Sequence, residues 1–209
     1  MKNLNLKLMS AAIAVTVAFS GCSKDEETPA KTNSFSFESK TYDTPKGFIE
    51  FYGPESDNKS ANFDILLVSS DVNYDAPSDE YTYSDNYDYM VFELNSSSLT
   101  ELVSGNYTYD FWDMEDELAK PNTFSDAYVG VDVIDESTAD HEYGSDETTT
   151  GTVTVTKSGT TYEITYSVKL EGKMVEGYYK GSLTAIDYSD EGAMKSGTLQ
   201  NRKVLGFKR

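Results

Sequence analysis

The sequence predicts an all-β domain, and three observations carry that expectation. Apolar residues recur with period two through most of the chain, the pattern of half-buried strands. Sixteen Tyr and ten Phe suit pleated surfaces, and 38% hydrophobic residues is too many for a disordered chain. Only Asp113–Lys120 offers a helix, a short acidic turn ended by Pro121.

The strands are expected in the following order. Ser34 to Tyr42 alternates at Phe35 and Phe37, and Gly47 to Tyr52 carries Phe48, Ile49, Phe51 and Tyr52 before a turn at Gly53-Pro54. Ala61 to Ser69 is the most continuously apolar stretch, which predicts a central strand covered on both faces. Tyr87 to Leu94 and Tyr107 to Phe111 follow. From Phe124 to Ile134, Ala127, Val129, Val131 and Val133 are expected inward, with Asp126, Tyr128 and Asp132 outward.

In the C-terminal meander Val153 and Val155 alternate with threonines, and Lys157-Ser158-Gly159-Thr160 supplies a tight turn. Tyr162, Ile164, Tyr166, Val168 and Leu170 return along one face. A turn at Glu171-Gly172-Lys173 leads into a strand through Val175, Tyr179, Leu183 and Ala185. Gly177 and Gly181 within it point to a bulge or to close packing under an aromatic neighbour. Roughly nine or ten strands make a single antiparallel β-sandwich, with a lipocalin-like up-and-down barrel as the alternative.

The N-terminal residues have another character. Lys2 and Lys7 accompany an apolar run, Ala11 to Phe19, about half the roughly 20 residues of a membrane-spanning helix. The small pair Ser20-Gly21 precedes Cys22, the one cysteine of the chain. Phe19-Ser20-Gly21-Cys22 resembles a bacterial lipobox, with Phe19 where Leu is usual. The resemblance implies cleavage after Gly21 and acylation, as with palmitate, at Cys22. Residues 1–21 would then be a lipoprotein signal peptide, 22–33 the lipidated cysteine and an acidic flexible tether, and 34–209 the β domain.

The run Lys24-Asp25-Glu26-Glu27 is similar to the export signal of surface lipoproteins of Bacteroidota. It implies the outer face of the outer membrane, with the lipid as the membrane anchor. The stretch GTVTVTKSGTTYEITYSVKLEGKMVEGYYKGSLTAID, Gly151 to Asp187, resembles the C-terminal portion of small all-β surface lipoproteins of that phylum. No functional residue carries over from that likeness.

The formal net charge is −19, and thirty of the 36 acidic residues precede Gly151. A field of that sign repels phosphate backbones and anionic headgroups, which argues against nucleic acid and against electrostatic membrane docking.

Catalytic sets are hard to assemble from this inventory. The lone histidine, His141, sits in an acidic, turn-rich stretch where an exposed loop is expected. Neither a serine nucleophile with an oriented base nor a zinc site can be built around it. No enzyme is expected. For calcium, Asp71, Asn73 and Asp75 place oxygens at alternate positions, with Asp79 eight residues after the first. Ala76 and Thr82 stand where an EF-hand needs glycine and a bidentate glutamate, so the expectation is a looser Ca2+ site on Asp71, Asn73, Asp75 and Asp79, with Asp85 nearby. A solvated loop guarding a sheet edge is the alternative.

Tyr74, Tyr81, Tyr83, Tyr87 and Tyr89 gather around the same loop, and Trp112 follows Tyr107, Tyr109 and Phe111. Tyr81, Tyr83 and Trp112 are the candidates for stacking on a glycan or a protein ligand, against ordinary cross-strand packing. The functional expectation is a non-catalytic β domain that binds such an extracellular ligand. The alternative is a structural cell-envelope or adhesion component. Oligomeric state is left open.

Overall fold

The structure, a computed structural model, describes residues 31–83, 86–110, 118–134 and 141–189. It is all-β. The described residues form fourteen strands: β1 (Ser34–Phe37), β2 (Lys40–Asp43), β3 (Lys46–Pro54), β4 (Ala61–Val68), β5 (Asn73–Asp75), β6 (Glu80–Thr82) and β7 (Tyr87–Ser96) in the first half. The second half holds β8 (Gly105–Tyr109), β9 (Thr123–Val133), β10 (Glu142–Gly144), β11 (Thr150–Ser158), β12 (Thr161–Leu170), β13 (Lys173–Ser182) and β14 (Thr184–Asp187).

Twelve strands share one sheet in the order β14-β3-β4-β7-β9-β8-β11-β12-β13-β1-β2, with β10 on β9; β5 and β6 form a separate hairpin. Most pairs are antiparallel, but β14 lies parallel to β3 and β8 parallel to β9. The sheet curls until β3 approaches β13. A Cβ built on Gly47 would fall 2.4 Å from Leu183 Cδ2 and 3.0 Å from the Tyr179 hydroxyl.

Local chemistry sets the turns. Leu170-Glu171-Gly172-Lys173 closes β12 onto β13 with positive φ at Glu171 and Gly172 (47° and 81°), the backbone of a two-residue I′ hairpin. Gly159 (φ 59°) closes β11 onto β12 where expected. A third hairpin joins β1 to β2 through Glu38 and Ser39 (φ 47° and 67°). No Gly or Asn marks it, so the sequence reads as one strand from Ser34 to Tyr42.

β4 is buried at all eight positions, as its apolar run predicts. Phe63, Ile65 and Leu67 enter the main core with Met90, Phe92 and Leu94 of β7, Val153 and Val155 of β11, and the predicted Tyr162–Leu170 face of β12. Leu66 and Val68 enter a second cluster with Phe48, Tyr87, Tyr89, Val91 and Ile186, joined by Val72 and Tyr81 at the β5–β6 hairpin.

Two expectations about facing and extent need correction. On β9, Ala127 and Val129 lie in the main core, but Val133 joins the second cluster. The β7–β9 register slips between Tyr87 and Tyr89, and Asp132 has φ 53°; the extra residue flips the strand's facing, as a bulge does. The predicted strand through Val175 to Ala185 is broken after Ser182, where the chain crosses to run parallel to β3 as β14. The helix expected at Asp113–Lys120 falls outside the described residues except for 118–120, which are irregular.

The glycines of β13 lie under aromatic rings, as expected. A Cβ on Gly177 would sit 2.3 Å from the Tyr166 ring, and one on Gly181 would sit 2.9 Å from the Tyr179 hydroxyl. Both tyrosines are buried in the core, but the overlap at Gly177 is the deeper one. Gly177→Ala is therefore expected to destabilise the domain by about 1–3 kcal/mol, the usual range for overpacking, and Gly181→Ala by less. Urea titration of both variants checks the order.

Candidate functional site

The second face of β3, β4, β7 and β9 carries a row of carboxylates. Glu50 pairs in register with Asp64, Asp64 with Glu93, and Glu93 with Asp126. Strand alternation puts all four on the side opposite the main core. Glu50, Asp64 and Glu93 are buried and Asp126 is half-buried.

Phenol hydroxyls donate to Glu50 and Asp126 of this row and to neighbouring acids. Tyr52 donates to Glu50 Oε2 at 2.6 Å and Tyr81 to Glu50 Oε1, while Tyr128 donates to Asp126 Oδ2. Tyr89 donates to Glu142 at 2.5 Å, and Tyr74 and Tyr188 both donate to Asp79 Oδ1, at 2.5 and 2.8 Å. Hydrogen bonds to a charged acceptor are the stronger kind, and each holds its phenol in the neutral form. Burial first, then the facing carboxylates, raise the phenol pKa of Tyr81, Tyr89 and Tyr128 far above the ordinary 10.0; for Tyr188 the bond to Asp79 follows burial.

This layer explains the tyrosine cluster seen in the sequence. Tyr81 is 4% exposed, with Phe48 edge-on at 5.2 Å and Tyr74 tilted against it at 5.2 Å, so its ring is part of the packing and not a stacking platform. Tyr83 is half-buried against Tyr87, ring centroids 4.6 Å apart. Trp112 lies outside the described residues, as do Asp85, Cys22 and the run Lys24, Asp25, Glu26 and Glu27. His141 is half-buried at the entry to β10, its Nδ1 3.4 Å from the Asp132 carbonyl oxygen.

The residues expected to bind calcium are not gathered. Asn73 Oδ1 receives the Lys46 ammonium at 2.8 Å, Asp75 Oδ2 receives the Ser78 hydroxyl at 2.6 Å, and Asp79 Oδ1 is taken by the two phenols. Among the described residues, no three His, Cys, Asp or Glu side chains are placed to hold a metal ion together. The strand pairing of β5 with β6 puts Tyr74 opposite Tyr81 and Asp75 opposite Glu80.

A concave feature lies at the seam between β13 and β3. β1 pairs with β13 only as far as Tyr178, so β13 continues past it. There the Asn33 side chain takes the place of a strand: its Oδ1 accepts from the Lys180 N–H at 2.7 Å and its Nδ2 donates to the Lys180 carbonyl at 3.2 Å. A cavity of about 300 Å³ opens beside it, lined by Asn33, Lys46, Phe48, Tyr179, Lys180 and Ser182 among others. Lys46 Nζ also donates to the Val72 carbonyl at 2.9 Å, Lys180 pairs with Glu163 at 2.9 Å, and the Tyr179 hydroxyl donates to the Ser182 carbonyl at 2.7 Å. Sequence reading missed these residues, since they meet only when the sheet curls; Gly47, which admits Tyr179 and Leu183, was the one local sign.

The chain matches no protein-family model, no curated protein and no solved structure.

Two measurements follow from the phenol–carboxylate layer. Tyr81→Phe removes a donor from buried Glu50 and is expected to cost about 1–3 kcal/mol, whereas Tyr178→Phe, whose hydroxyl meets Glu163 near solvent, should stay within about 0.5 kcal/mol. For alkaline pH, the folded phenols titrate above 10.0 and the unfolded ones at it. Above that pH the unfolded chain releases protons the native state keeps, so stability present below pH 10 falls as pH rises through the folded values. The share of tyrosinate absorbance that Tyr81→Phe, Tyr89→Phe and Tyr128→Phe remove should then rise together with unfolding and not ahead of it.

Proposed function

We propose that this chain is an outer-membrane, cell-surface lipoprotein of the Bacteroidota kind, anchored through Cys22, whose β domain binds an extracellular ligand such as a glycan or protein without catalysing a reaction. The seam cavity carries the binding part of this reading. It is preformed, has apolar walls in Phe48 and Tyr179, and has polar groups in Asn33, Lys46 and Lys180, the mixture ligand sites use; its volume is at the small end for such sites. The non-catalytic part rests on the engaged carboxylates: Glu50 and Asp126 accept phenol hydroxyls, so these acids serve the packing of the second face.

Full-length protein with Ser182→Trp, which fills the cavity from its rim, is expected to lose capture on an array of glycans and extracellular proteins while its melting temperature holds. Unchanged capture, or none by the parent protein, overturns the binding role. Cys22→Ala is expected to abolish palmitate labelling and move the protein from the membrane to the soluble fraction; a labelled, membrane-bound variant ends the anchoring reading.

A further inference from the structure

We propose that the seam cavity is an anion site that takes the carboxylate of a small hydroxylated acid, of the uronic-sugar kind; this rests on the binding role given above. In a chain with 36 acidic residues against 17 basic ones, the cavity lining contains two lysines and no Asp or Glu. The charged groups of the lining are therefore both cationic, with Glu163, on Lys180, just outside it, and cationic lining favours an anion.

The hydrogen-bond inventory leaves donors for such a group. An ammonium has three protons. Lys46 directs two of them, to the Val72 carbonyl and to Asn73 Oδ1. Both acceptors lie outside the lining, and one proton of the three is left over. Lys180, at the rim with its side chain 55% exposed, gives one proton to Glu163 and retains two. Strand alternation adds a backbone donor. The Lys180 N–H is turned toward Asn33, so the Ser182 N–H, two residues on, is turned to the same side.

The rest of the lining suits a hydroxylated carbon body more than a bare inorganic anion. Phe48 and Tyr179 reach the lining with their rings buried in the packing, and the exposed Ser182 and Thr184 offer hydroxyls. The volume of about 300 Å³ is about ten times the ~30 Å³ share of a water molecule, enough for one ring and its carboxylate.

The test is calorimetric titration of the full chain with glucuronate, glucose and inorganic phosphate. Glucuronate is expected to bind, glucose not to bind over the same range, and phosphate to bind at least about tenfold more weakly. Lys180→Gln should weaken glucuronate about tenfold, added salt should weaken it further, and Lys59→Gln, remote from the cavity on Asp57, should change nothing. Equal binding of glucose and glucuronate, phosphate as good as glucuronate, or an unaltered Lys180→Gln affinity overturns the anion site. If glucose alone binds, the anion site falls and the binding role stands. If none of the three binds, the anion site falls, and the Ser182→Trp comparison decides the binding role by itself.

Discussion

Burial of β4 on both faces is the constraint from which the rest of this architecture follows. A strand carrying Phe63, Ile65 and Leu67 on one side and Leu66 and Val68 on the other cannot border solvent on either face. The main core satisfies the first side through the curl of the sheet. The second side needs a separate cover, and the β5–β6 hairpin, with Val72, Tyr74 and Tyr81, helps to supply it.

That cover determines the electrostatics. Asp64 lies on the second face by the same alternation that buries Leu66, and register brings Glu50 and Glu93 beside it. Carboxylates so placed need hydrogen-bond donors, because burying an unsatisfied charge costs several kcal/mol. Tyrosine suits this position: its ring extends the apolar cluster while its hydroxyl reaches the acid. The richness in Tyr and the richness in Asp and Glu, which read as separate features of the composition, are on this face parts of one layer.

Much of the fold was legible because its information is local. The β11–β12–β13 meander follows from alternation and from Gly159 and Gly172, and the two-sided burial of β4 follows from an unbroken apolar run. The β1–β2 hairpin was hidden because Glu38 and Ser39 adopt a backbone that usually announces itself with Gly or Asn. The facing of Val133 was missed because a bulge at Asp132 arises from pairing with β7. The seam, with Lys46 and Lys180 near one cavity, depends on residues more than 130 positions apart being brought together by curvature, which no periodicity encodes. The tyrosines around the β5–β6 loop were found, but their role depended on what lay opposite, and Glu50 is 31 positions from Tyr81.

The pairing of β1 with β13 has an implication for how the molecule comes into being. Ser36 bonds to Glu176 across 140 positions, so β1, paired early with β2, gains its other neighbour only when β13 has been delivered. Any process that emits the polypeptide from its N-terminus, whether a ribosome or a translocation pore, leaves β1 and β2 waiting with exposed edges. Topologies dominated by such distant pairings mature slowly, because ring-closure entropy is spent before the contacts that reward it. Such a chain remains threadable for most of its synthesis and locks into shape only at the end.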